Sequence, residues 1–156
     1  TGIQANDLLF RKLMRDQGAT ARVVFGEVAA TAKALGASSR PELQAIAKRL
    51  GDALQAWVKA TEWLAVDAKN GLAGPLTAAV PYLHLAVTVC GGWLMGKAAL
   101  VAADYLDKGE GDQLFYRGKI ATAHFYADQM LPLAASYGET VRAGSAALAA
   151  VTDEML

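Results

Sequence analysis

Only two side chains in the sequence, His84 and His124, titrate near neutrality when unperturbed. Neither stands in a Glu-x-x-His or His-x-x-x-His spacing, so neither has the helix-face partner that a zinc or carboxylate-bridged di-iron site needs. Each therefore reads as a hydrogen-bonded structural histidine, and no metal site is expected. Cys90 is the single cysteine, which excludes an intramolecular disulfide and a thiolate metal cluster. A cation or a helix start would be needed to make it a reactive thiol, and the nearest charge in sequence is Lys97, so it reads as a small buried hydrophobe.

The serines supply no Gly-x-Ser-x-Gly elbow, and the glycines form neither Gly-x-Gly-x-x-Gly nor a phosphate loop. "GGWLMG" (Gly91 to Gly96) has no strand before it and reads as helix packing rather than a phosphate cradle. Arg117 and Lys119 place two cations among aromatics, a pattern that suits a solvated or salt-bridged helix surface better than a phosphate contact. Trp57, Trp63 and Trp93 sit at helical positions as core or interface anchors. The residues alone give no catalytic constellation.

Fifteen basic side chains balance fifteen acidic ones, so no net field gathers a polyanion and no nucleic-acid partner is expected. The lone cysteine suits a reducing, cytoplasmic setting. The N-terminus lacks the pattern of a signal peptide. Gly71 to Gly96 carries no formal charge, but its prolines, glycines and His84 favour a buried central helix over a membrane span. An apolar hairpin around Gly71 to Pro81 would be the place for any peripheral membrane contact.

Abundant alanine and the absence of alternating apolar runs predict an all-α protein, an antiparallel up-and-down bundle of four or more long helices. Asn6 or Asp7 caps a short first helix carrying Leu8, Leu9, Leu13 and Met14, which Asp16-Gln17-Gly18 interrupts. A second helix runs from about Ala19 to Leu35, with Gly36 as its left-handed stop. Ser39-Arg40-Pro41-Glu42 has capping-box spacing and opens a long helix. Its core face is Leu43, Ile46, Leu50, Leu54, Trp57, Thr61, Leu64 and Ala68, and Asn70 and Gly71 end it.

The next helix spans about Leu76 to Leu106, with Pro81 in its first turns or at its start. Val80, Leu83, Val87, Cys90, Leu94, Ala98, Val101 and Tyr105 continue the core rhythm, and Gly92 and Gly96 allow a neighbouring helix to come close. "DKGEGD" (Asp107 to Asp112) is a polar turn. A fourth long helix covers about Gln113 to Tyr137, kinked at Pro132, and a last one about Glu139 to Val151.

"PYLHLAVTVCGGWLMGKAAL" (Pro81 to Leu100) followed by "FYRGKIATAHFYADQMLP" (Phe115 to Pro132) resembles the extra C-terminal domain of long bacterial acyl-CoA dehydrogenases, those related to 3-methylmercaptopropionyl-CoA dehydrogenase. The resemblance implies a parent flavoprotein of fatty acid metabolism that removes hydrogens from the alpha and beta carbons of an acyl-CoA, with FAD taking the hydride. The glutamate base would lie in a Tyr-Glu-Gly-Thr segment just before Thr1, so no catalytic residue is expected within the chain. Thr1 and Gly2, opening "TGIQANDLLFRK", would lie at the rim of the flavin site.

The same resemblance implies that residues 1–35 are the tail of the catalytic helical domain and residues 39–156 an appended bundle. The absent initiator methionine fits a piece cut from a larger protein. Such a piece would bind FAD weakly or not at all and be inactive alone, with a structural or assembly role toward the rest of the dehydrogenase and its homodimer. The alternative is a free-standing helical module that binds a protein partner or an apolar small ligand.

Overall fold

The computed structural model describes residues 2–155, and among them there are helices and turns but no strands. The helices pack on one another as an all-α bundle, as the alanine-rich sequence predicts. They are α1 (Ile3–Asn6), α2 (Ala19–Gly36), α3 (Pro41–Asp67), α4 (Ala73–Lys108), α5 (Gln113–Gln129), α6 (Leu133–Ala143) and the single turn α7 (Ala146–Ala149). A single core joins Leu9 and Leu13 at the N-terminal end to Leu35 of α2, Leu50 of α3, Leu85 of α4 and Val141 of α6.

α1 starts at Ile3 rather than at a cap on Asn6 or Asp7, and passes directly into a wider π-helical stretch, Asp7–Leu13. Its signature is the five-residue reach of Met14 N–H to the Leu9 carbonyl at 2.9 Å. The predicted interruption follows. Gln17 and Gly18 both take positive φ, and Asp16 accepts from Gly18 N at 3.0 Å and Thr20 N at 2.9 Å, pinning the turn to the start of α2.

Two predicted helix ends differ. Gly36 is the last helical residue and not a left-handed stop, since Ala37 keeps right-handed geometry. The capping box at Ser39 does not form. Proline disfavours helical geometry in the residue before it, so Arg40 is extended (φ −84°, ψ 120°) and becomes the N-cap, with Pro41 as first helical residue. Ser39 is left one residue too early. On the core face of α3, Leu43, Ile46, Leu50, Leu54, Trp57 and Leu64 are buried as expected, whereas Thr61 and Ala68 are only half-buried and α3 ends at Asp67, with Ala68–Asn70 a 3-10 turn.

α4 is the helix around which α2, α3, α5 and α6 assemble. It begins at Ala73, so Pro75 lies in the first turn, where a missing N–H costs nothing, and Pro81 lies inside. Its buried face is the reverse of the one the large apolar residues mark. Ala78, Ala79, Ala86, Gly92, Gly96, Ala99, Ala102 and Ala103 point inward, with Tyr82, Leu85 and Val89. Val80, Val87, Leu94 and Val101, predicted to be core, are 46%, 60%, 59% and 56% exposed. Size rather than polarity chose the face, because a central helix with neighbours on several sides needs small residues where backbones approach. The expected buried central helix is thus central, but it leaves one stripe, Val80, Val87, Leu94 and Val101, uncovered.

The glycine pair works as predicted, although against two different neighbours. A Cβ on Gly92 would lie 2.5 Å from Leu131, and one on Gly96 2.9 Å from Leu35 of α2. The polar turn after α4 holds Gly109 in left-handed geometry, and Asp112 caps α5 by accepting from Leu114 N and Phe115 N, each at 3.0 Å. At Pro132 the chain breaks rather than kinks, so α5 stops at Gln129 and α6 runs through Tyr137 and Glu139 to Ala143.

Candidate functional site

The residues that could do chemistry stay apart. His84 is exposed on α4, and among the described residues no hydrogen bond holds it as expected; its ring stacks on Tyr137 of α6, centroids 5.4 Å apart. His124, on α5, has Nε2 3.5 Å from Asp128, whose other oxygen lies 3.5 Å from Arg49 of α3. Cys90 is half-buried, and burial pushes its thiol pKa up, which suits the small-hydrophobe reading and opposes thiolate chemistry.

The other singled-out groups are structural. Lys119 lies 5.0 Å above the Phe115 ring, and Arg117 lines a cavity of about 330 Å³ with Arg40, Glu42 and His124. Trp57 is core and meets Phe25 edge-on at 4.9 Å. Trp93 donates to Thr31 Oγ1 at 2.9 Å, tying α4 to α2, and carries Lys97 over its ring. Gly91 to Gly96 is helical, and Tyr126 crosses Gly91 to donate to the Thr88 carbonyl at 3.0 Å. Gly2 is exposed and its carbonyl accepts from Asn6 N, whereas Thr1 lies outside the described residues.

A concave site does form, from residues not singled out by motif. The pinned turn around Gly18, α2 and the end of α3 enclose a cavity of about 500 Å³. Leu13, Met14, Phe25, Val58 and Leu64 make it apolar, while Arg22, Glu62 and Lys69 supply the charges. Thr61 also lines it. Its hydroxyl donates to the Trp57 carbonyl at 2.9 Å, so the 2.9 Å contact with Tyr82 must have the tyrosine as donor. Burial raises the pKa of Tyr82, and the hydroxyl stays neutral and donating. A hydroxyl on an otherwise apolar α3 face was the signal available in sequence, and Thr61 read there as an ordinary core position.

The second surface feature is the outward stripe of α4. Val80, Val87, Leu94 and Val101 recur every seven residues, the spacing that keeps one seam facing a partner. Leu72 and Leu76 extend it to the hairpin between α3 and α4.

Residues 24–152 match the family described as acetyl-CoA dehydrogenase C-terminal like. The chain belongs to this family. It is 40% identical over 131 residues to 3-methylmercaptopropionyl-CoA dehydrogenase of Ruegeria pomeroyi, a match covering 84% of the chain and 22% of that enzyme. It is 34% identical over 155 residues to broad-specificity linear acyl-CoA dehydrogenase FadE5 of Mycobacterium tuberculosis, covering 90% of the chain and 24% of that enzyme. The chain thus spans about a quarter of the length of these relatives, and corresponds to a C-terminal part of them.

Proposed function

We propose that this chain is the noncatalytic C-terminal part of an FAD-dependent acyl-CoA dehydrogenase, and that its role is to dock on and support the rest of that enzyme. The observation that carries the reading is the exposed stripe of α4. Burying one Val or Leu is worth about 1.5–3 kcal/mol, while association costs at least about 4 kcal/mol, so a docking face needs several such residues in register. Here they are spaced as a seam on the longest helix.

In this reading residues 1–35 descend from the catalytic helical domain and residues 39–156 form the appended bundle, the two sharing the core described above. The parent acts in the cytoplasm as a homodimer on an acyl-CoA. Its catalytic base lies outside the part matched here, and Gly2 borders the flavin. FAD chemistry then belongs to the parent, since the chain supplies only that border. The purified chain will be colourless and will not reduce an electron acceptor with acyl-CoA. Stoichiometric yellow flavin, or turnover by residues 1–156 alone, would overturn the proposal. Lipid vesicles that retain the chain through the Leu72–Leu76 end of the stripe would count against a protein partner for that face.

A further inference from the structure

From the cavity between the Gly18 turn, α2 and the end of α3, we infer a binding site for an amphiphile with an apolar tail and an anionic head, such as a fatty carboxylate. The inference is independent of the docking role proposed for α4, because the cavity lies on other elements.

Three observations carry it. The first is size and lining: about 500 Å³, within the ~300–1,000 Å³ of small-molecule sites, with walls from Leu13, Phe25, Val58 and Leu64. The second is that the site is preformed. Its turn is fixed by Asp16 bonding Gly18 N and Thr20 N, by Gly18 N bonding the Leu13 carbonyl at 2.8 Å, and by Arg22 Nη1 donating to the Gln17 carbonyl at 3.0 Å. Order already built into the turn lowers the entropic cost of binding.

The third is charge. Arg22 and Lys69 face the cavity against a single acid, Glu62. An apolar chain fits the walls, and the excess of cations at the rim selects a negative head over a neutral or positive one. Thr61 cannot replace them, since its hydroxyl proton is already given to Trp57 and its acceptor side is met by Tyr82.

The test uses the 156-residue chain and a dansyl-labelled undecanoic acid as fluorescent probe. Saturable enhancement, competed by decanoate and not by decyltrimethylammonium, is expected. Ala65 is exposed at the cavity edge, so Ala65→Trp fills the space without disturbing the core and should weaken binding at least about tenfold. Lys69→Glu should reverse the preference between the two competitors, with an unchanged thermal melt. Absence of saturable binding, equal competition by the cationic amphiphile, or binding indifferent to Ala65→Trp would each overturn the inference.

Discussion

Tyr82 shows how a single hydroxyl can be committed. Its proton goes to Thr61, whose own proton goes to the Trp57 carbonyl, and burial keeps the phenol neutral. Tyr82→Phe leaves Thr61 short of a donor and should cost about 0.5–1.5 kcal/mol of unfolding free energy, read from urea titrations. The pH dependence follows from the raised folded-state pKa. Unfolded tyrosine ionises near pH ~10, so stability is intact below that value and falls as pH rises toward the folded-state value. Tyr82→Phe should reduce this alkaline loss, leaving the part due to Tyr126, whose pKa burial also raises. Asp16 works in the opposite sense: the Thr20 hydroxyl, then the Thr20 N–H, hold it below the usual carboxylate range. Its contribution is present at neutral pH and disappears as pH drops through the folded-state pKa. Asp16→Ala should lower the melting temperature at pH 7 and leave it unchanged in strong acid.

Among the helices, the close approaches of α4 make the sharpest contrast. Gly92→Val drives a branched side chain into Leu131 and should cost about 1–3 kcal/mol. Gly118→Ala, with nothing within 4 Å of its Cβ position on α5, should stabilise by about 0.5–1 kcal/mol. Denaturation midpoints of the two variants check both signs. The same elements show what was legible in the sequence. α3 was readable because its apolar residues occupy one face and its charges the other, from Leu43 to Leu64. α4 was not, because both of its faces are apolar and periodicity cannot rank them; only the size of Ala86, Gly92 and Ala99 against Val87, Leu94 and Val101 separates inside from outside. The start of α3 was misplaced by one residue because Pro41 overrode the cap spacing of Ser39. The cavity beside Gly18 was hidden because it depends on a turn meeting the far end of α3 from Val58 onward and the Ala68–Asn70 turn that follows it, a juxtaposition that no local motif encodes.

For the molecule as a whole, one surface remains unexplained by the fold itself. Along α4 the chain leaves Val80, Val87, Leu94 and Val101 exposed, an arrangement that costs solubility unless something covers it. Its relatives are about four times its length, and the matched part is their C-terminal portion. We propose that the α4 stripe is the surface that meets the rest of the parent enzyme. Leu94→Glu, at a position 59% exposed, should leave the thermal melt of the chain within about 0.5 kcal/mol of the original. The most direct test mixes the chain with the separately produced remainder of the dehydrogenase and follows sedimentation velocity. The account predicts a complex with the original chain and its loss with Val87→Asp/Leu94→Glu; no complex, or one that forms equally well with the double variant, would contradict it.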